Sequence, residues 1–176
     1  NDISTEEFLS QFDLPEEIAG PLPSEIGEFT VMTSLDLPES NLIGQIPEEI
    51  GDMSSLTSLN LEDNSLTGNI PETLGDLDNL TTLDLSGNEL SGEIPPTLGD
   101  LDNLTTLDLS DNNLDGTIPY ALEDLESLQE LNLSENDLEG AIPSSITDIS
   151  TLTDLDLSDN NLSGSFPSDI EDLILL

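Results

Sequence analysis

Carboxylates are the only ionised side chains that this sequence offers for chemistry. It has 40 Asp and Glu and no Lys, Arg, His or Cys. A nucleophilic serine therefore has no ordinary base beside it, and thiolate or imidazole metal sites are excluded. A pair of carboxylates can hydrolyse a glycosidic bond, but only in a closed pocket that raises the pKa of one of them. The residue types therefore predict binding and no enzymatic activity.

Polar side chains recur at 24-residue steps, and one set of them is expected on the outer side of a row of short strands. The candidate ligand-binding residues of this concave face are Asp36, Asn60, Asp84, Asp108, Asn132, Asp156, Thr82, Thr106, Glu130 and Asp154. They offer carboxylates and hydroxyls without an aromatic ring, whereas protein interfaces usually rely on Trp, Tyr and Arg anchors. The expected partner is therefore a protein or surface ligand that is cationic or is bridged by cations.

Calcium is the cation that such a face would select, because hard cations prefer several carboxylate oxygens. Asp84, Asp108 and Asp111 are the candidate metal ligands. No other cofactor is predicted.

The formal net charge of −40 excludes two classes of partner. Nucleic acid is excluded because nothing in the chain can neutralise phosphates. Direct binding to an anionic membrane is excluded for the same reason.

A 24-residue repeat underlies all of these positions. Glycines recur at this step, at Gly20, Gly44, Gly68, Gly92, Gly116, Gly140 and Gly164. The unit that begins at Leu80 has the pattern L-x-x-L-x-L-x-x-N-x-L-x-G-x-I-P-x-x-L-x-x-L, and its seven apolar positions are filled in all six copies. One unit cannot bury such a face alone, but stacked units share a continuous core.

Each segment of the unit predicts one element. L-x-L, as at Leu83 and Leu85, predicts a short strand that pairs in parallel with the next unit. The Asn column is expected to turn inward and to satisfy backbone groups of the loop. Gly-x-Ile-Pro predicts a turn, followed by a short helical or 3-10 segment.

The two ends of the chain differ from the repeats. Residues 1–31 are interpreted as a cap over the first core layer, with a helix from Ser4 to Phe12 and a half-unit. Residues 32–176 comprise the six units, and the C-terminal segment Asp172–Leu176 has no matching cap. Because a solenoid needs polar caps, an uncapped end predicts truncation or end-to-end self-association in an extracellular array.

The unit LTTLDLSGNELSGEIPPTLGDLDN resembles the plant-type leucine-rich repeat of receptor-kinase ectodomains and polygalacturonase-inhibiting proteins. The resemblance implies an α/β solenoid: a right-handed coil with a parallel sheet on its concave face and short helical or 3-10 segments on its convex face. It also implies a secreted or cell-surface recognition or adhesion module. The chain differs from those relatives in lacking paired-cysteine caps, basic residues and Trp. These differences fit a salt-adapted secreted protein better than a land-plant receptor.

Three further patterns leave alternatives open. An acidic row, made of Glu28, Asp52, Asp76, Asp100, Asp124, Asp148 and Asp172, is either a solvated, salt-adapted surface or a cation ladder. Threonines at Thr81, Thr82, Thr105 and Thr106 suggest the hydroxyl array of an ice-binding solenoid, as a third hypothesis. Sequons at Asn79, Asn103, Asn132 and Asn161 are glycan acceptors only in a eukaryote, and the repeat generates their spacing by itself.

Overall fold

A computed structural model describes residues 20–165, in which each of the first five units contributes two short strands and one 3-10 helix and the sixth contributes two strands. The strands in chain order are β1 (Ser34–Asp36), β2 (Ile43–Gly44), β3 (Ser58–Asn60), β4 (Ser65–Gly68), β5 (Thr82–Asp84), β6 (Glu89–Glu93), β7 (Thr106–Asp108), β8 (Asn113–Asp115), β9 (Glu130–Asn132), β10 (Glu139–Gly140), β11 (Asp154–Asp156) and β12 (Asn161–Leu162). The 3-10 helices are η1 (Ser24–Glu28), η2 (Glu48–Asp52), η3 (Glu72–Asp76), η4 (Pro96–Asp100), η5 (Tyr120–Asp124) and η6 (Ser144–Asp148).

The six strands that come first in each unit form one parallel sheet, in the order β1-β3-β5-β7-β9-β11. Paired residues are one repeat apart, so that Thr82 lies beside Thr106 and Asp84 beside Asp108. The ladder continues past the strand, where Leu85 N–H donates to Asp108 O at 2.9 Å. The predicted parallel sheet of L-x-L strands is confirmed, and its register stacks like positions into rows.

A second set of parallel ladders was not predicted. It joins β2-β4-β6-β8 in one sheet and β10-β12 in another. Partners here are 22 residues apart, as for Gly92 and Leu114. The glycine of each unit has a φ between 74° (Gly116) and 93° (Gly164), the left-handed region that favours glycine. Most of the glycines predicted to open a turn lie within these strands.

Leucine and isoleucine fill a single core between the sheets and the 3-10 helices. Every repeat position predicted to be apolar within the described range is buried, except Ile142, Leu155, Leu157 and Leu162, which are partly buried against the same core. These four lie in the last described units. The stacked units therefore share one continuous core, which is less completely covered in the last described units.

The Asn column turns inward and satisfies backbone groups, as predicted, and it also joins neighbouring units. The Nδ2 of Asn88 donates to Leu85 O at 3.1 Å in its own unit and to Leu61 O at 3.0 Å in the preceding one. Its Oδ1 accepts from Leu66 N–H of the preceding unit at 3.0 Å. In residues 20–165 no buried side-chain nitrogen or oxygen lacks a hydrogen-bond partner.

A second glycine column sets the distance between the 3-10 helices. A Cβ at Gly75 or Gly99 would meet the backbone oxygen of Thr97 or Ala121 in the next helix. Glu123 occupies this position in η5, and a shallow apolar depression lies between η5 and η6. Its lining includes Leu122 and Ile146. Glu123 lines this depression, whereas the helices with glycine at this position approach backbone to backbone.

The predicted N-terminal helix from Ser4 to Phe12 and the uncapped segment Asp172–Leu176 lie outside the described residues, so end-to-end assembly stays a prediction. Across residues 20–165, no helix combines the length and apolar character needed to cross a bilayer.

Candidate ligand-binding face

The carboxylates between the strand leucines are held in place by serines that follow two residues later. Asp108 Oδ1 accepts hydrogen bonds from Ser110 N–H at 2.9 Å and from Ser110 Oγ at 2.6 Å. The same arrangement recurs at Asp84 with Ser86, at Asn132 with Ser134 and at Asp156 with Ser158. Sequence reasoning missed these serines, although an Asp-x-Ser spacing was visible in three of the six units and Asn-x-Ser in a fourth. The hydrogen bonds fix one oxygen of each carboxylate and leave the second oxygen as an acceptor on the face.

A side-chain hydrogen bond joins two neighbouring strands in the middle of the face. Asn132 Nδ2 donates to Asp108 Oδ2 at 3.1 Å, across the β7–β9 ladder. Asp108 is half-buried and carries both the serine and the asparagine contacts. Because all three donors aim at one carboxylate, its orientation is set before any ligand arrives.

An open depression of about 270 Å³ lies over β7, β9 and β11. Its lining residues are Thr106, Leu107, Asp108, Glu130, Leu131, Asn132, Asp154 and Asp156. Six of these eight are predicted ligand-binding residues, so the structure gathers the C-terminal part of the predicted set in one place. The other four, Asp36, Asn60, Thr82 and Asp84, lie on the same sheet toward its N-terminal end and outside the depression.

Charge within the face shifts two carboxyl groups in opposite directions. The negative charge of Asp84 raises the pKa of Glu62, with smaller contributions from burial and from Asp63, Asp108 and Glu39. Hydrogen bonds from the Ser158 hydroxyl and then from its backbone N–H lower the pKa of Asp156. Like charges therefore crowd the surroundings of Glu62, whereas Ser158 stabilises the carboxylate of Asp156.

The predicted calcium ligands do not converge. Asp84 and Asp108 are register partners in neighbouring strands. Asp111 lies beyond β7 in a turn with φ 50°, with its side chain exposed. Across residues 20–165, no three carboxylate, His or Cys side chains are grouped closely enough to hold a metal ion. Calcium binding at Asp84, Asp108 and Asp111 stays a prediction.

The second acidic row lies away from this sheet. Its members are the last residues of the 3-10 helices, and those from Glu28 to Asp148 are all exposed. Asp172 lies outside the described residues. This row therefore offers carboxylates without the serine contacts found on the strand face.

The threonine rows divide between two settings. Thr81 and Thr105 donate their hydroxyls to Thr57 O and Thr81 O of the preceding unit, at 2.8 and 2.9 Å. Thr82 and Thr106 are half-buried register partners on the sheet. The hydroxyls of the first row therefore join neighbouring units as well as facing water.

Comparison with known proteins agrees with this architecture. Profiles of the leucine-rich repeat family match residues 30–90, 95–138 and 151–173. A search of curated protein sequences finds no match.

Among solved structures, a plant peptide hormone receptor, RGFR1 in complex with RGF2, is 37% identical over 91% of this chain and 26% of that one, with a TM-score of 0.87. The ectodomain of the Arabidopsis receptor kinase HAESA, with a peptide hormone ligand, is 34% identical over 98% and 30%, with a TM-score of 0.87. A plant ice-binding protein is 31% identical over 90% and 66%, with a TM-score of 0.70. The chain spans about a quarter to a third of the length of the two receptors. It belongs to the leucine-rich repeat family, and its solenoid is similar to those of receptor-kinase ectodomains.

Proposed function

We propose that this chain is a secreted or cell-surface binding domain that holds a cationic protein or peptide in the depression over β7, β9 and β11. The observation that carries the proposal is the clustering there of Asp108, Glu130, Asp154 and Asp156. Two of the solved neighbours are receptors in complex with peptide hormones, which supports a peptide or protein as the class of ligand. An enzymatic role is not proposed, since the face is open and its neighbours are receptor ectodomains.

Charge supports a cationic ligand. The sequence contains no Lys, Arg or His, so no basic side chain within the protein can pair with the carboxylates that line the depression. Covering them with a neutral ligand would leave charges without compensation, which is costly. A ligand that brings guanidinium or ammonium groups offsets this cost, and Leu107 and Leu131 line the depression beneath its apolar part.

The test compares two triple variants with the same change in charge. One is Glu130→Gln with Asp154→Asn and Asp156→Asn, and the control is Asp76→Asn with Asp100→Asn and Asp124→Asn on the 3-10 row. Binding of a fluorescent nonapeptide library with two fixed arginines is measured against a matched library with two fixed glutamines. The strand-face variant should lose at least about tenfold in affinity, or about 1.4 kcal/mol, while the control retains it. Equal losses would indicate nonspecific attraction and reject the site.

Cation bridging is a separate part of the proposal. Asp84 and Asp108 are register partners in the sheet, and a calcium ion that bridges these two carboxylates would relieve their repulsion. Titration calorimetry with calcium, at constant ionic strength and with magnesium as control, should detect binding that Asp108→Asn abolishes. A melting temperature that millimolar calcium does not change would reject cation bridging, and the proposed peptide site would not be affected by that result.

Ice binding is a second candidate, favoured by the similarity to a plant ice-binding protein. The row of Thr57, Thr81 and Thr105 stacks at the spacing of adjacent strands, about 4.8 Å, and Gln129 interrupts it. Thermal hysteresis measured on the wild type and on Thr81→Val with Thr105→Val decides the matter. Ice crystals that grow without faceting in the wild-type protein would rule this candidate out.

A further inference from the structure

The four Asn-x-Ser/Thr sequons fall in different surroundings. Asn79 and Asn103 are exposed and lie between a 3-10 helix and the next strand of the large sheet. Asn132 is half-buried in β9, inside the depression. Asn161 belongs to β12, which pairs with β10 outside the large sheet. Only Asn79 and Asn103 form one row, a single unit apart.

The amides in this row are compatible with an added sugar. Asn79 Nδ2 donates to Ser54 O at 2.9 Å, and Asn103 Nδ2 donates to Asp78 O at 2.8 Å. An amide nitrogen carries two hydrogens, and each of these bonds uses one. Substitution of the other hydrogen leaves the contact with the preceding unit in place. The sequon hydroxyls of Thr81 and Thr105 are likewise exposed or half-buried.

Asn132 is in the opposite situation. Its Oδ1 accepts both donors of Ser134, and its Nδ2 donates to Asp108. Ser134, the hydroxyl residue of that sequon, is buried. A glycan on Asn132 would break the bond to Asp108 and fill the depression.

We propose that Asn79 and Asn103 carry N-linked glycans in the secreted protein and that the depression stays bare. The donor is a lipid-linked oligosaccharide diphosphate. The bond from sugar C1 to Nδ2 forms, the bond from C1 to the diphosphate oxygen breaks, and the lipid diphosphate leaves while the amide proton passes to a carboxylate of the transferase. The result is one sugar-covered flank beside an unobstructed strand face. This inference depends on secretion and not on the identity of the ligand.

The experiment secretes the chain from a yeast that has N-glycosylation machinery. Peptide N-glycosidase digestion in ¹⁸O-water converts each glycosylated asparagine to labelled aspartate, and mass spectrometry locates the label. Peptides come from cleavage at Asp and Glu, because trypsin finds no Lys or Arg. Asn79 and Asn103 should be labelled and Asn132 unlabelled. Secreted protein without label at the first two positions, or with label at Asn132, overturns the proposal.

Substitutions make the assignment specific. Asn79→Gln and Asn103→Gln should each lower the intact mass by one glycan while keeping an amide side chain. Thr81→Ser should retain the glycan on Asn79, because serine preserves the sequon. Asn132→Gln should leave the intact mass unchanged apart from the substitution itself. Peptide binding is measured separately on unglycosylated bacterial protein, so failure of one proposal does not affect the other.

Discussion

At the scale of single residues, the inward asparagines join backbone groups of neighbouring units. Asn112 Nδ2 donates to Leu85 O, Leu109 O and Ser110 O at 3.0 to 3.2 Å, and its Oδ1 accepts from Leu90 N–H at 3.0 Å. A hydrogen bond that is lost inside the core leaves a backbone group without a partner, which costs about 1–3 kcal/mol. These bonds therefore act as cross-links between units.

Asn112→Ala should lower the free energy of unfolding by about 3 kcal/mol or more, because several buried backbone groups lose their partner together. The neighbouring Asn113 is exposed, so Asn113→Ala should change it by less than about 0.5 kcal/mol. Urea unfolding at constant salt measures both. Equal effects of the two substitutions would contradict the cross-linking role.

Glu62 makes the stability of the folded protein depend on pH. Its pKa is raised in the folded protein, chiefly by Asp84, so the folded chain binds this proton more readily than the unfolded chain does. Stability should therefore increase as the pH falls from 7 toward the ordinary glutamate value of 4.5. Asp156 acts in the opposite direction, and its contribution is lost as the pH falls below the ordinary 3.8.

Glu62→Gln should raise the urea midpoint at pH 7 in low salt and reduce the gain seen on acidification to pH 5. Glu89→Gln, at an exposed position of the second ladder, is the matched control for the loss of one charge. If both variants shift the midpoint equally, the local crowding around Glu62 has no special effect.

At the scale of elements, the sheet and the asparagine column could be predicted from the sequence, whereas the second ladder could not. Leu83 and Leu85 alternate with polar residues, which specifies a strand by itself. The segment Glu89–Glu93 is mostly polar and contains Gly92, so its extended form depends on pairing with the next unit. The depression could not be predicted either, because it depends on how three strands and their serines are arranged in space.

Packing between 3-10 helices gives the element-scale prediction. Gly99→Ala places a Cβ against the backbone oxygen of Ala121, so the two helices must separate. We expect a loss of about 1–3 kcal/mol, although alanine would otherwise be favourable in a helix. At Gly20 a Cβ meets nothing within 4 Å, so Gly20→Ala is the control. Unfolding midpoints that coincide for the two variants would show that helix spacing is not limiting.

At the scale of the whole molecule, a net charge of −40 on 176 residues opposes the compact state. Adjacent charges about 4–5 Å apart repel by roughly 1 kcal/mol even at the dielectric constant of water. The screening length falls from about 10 Å at 0.1 M salt to about 3 Å at 1 M. We therefore expect the protein to depend on salt for its stability.

The melting temperature should rise by about 10 °C or more between 0.1 and 2 M sodium chloride, since several kcal/mol of repulsion are screened. Circular dichroism melts measure the rise, and sucrose at equal osmolality is the control for solute exclusion. A sucrose curve that matches the salt curve would show that charge is not the cause.

The replacement of glycine by Glu123 between η5 and η6 leads us to expect weaker packing at this junction, near the C-terminal side of the coil. Beyond it, Leu155, Leu157 and Leu162 are only partly buried, whereas the corresponding leucines of the central units are fully covered. A solenoid of identical units would unfold locally from both ends alike, but here the contact between η5 and η6 should open first. Backbone amides of residues 144–165 should then exchange with deuterium well before those of β5 and β7. The C-terminal units would therefore unfold locally before the central ones.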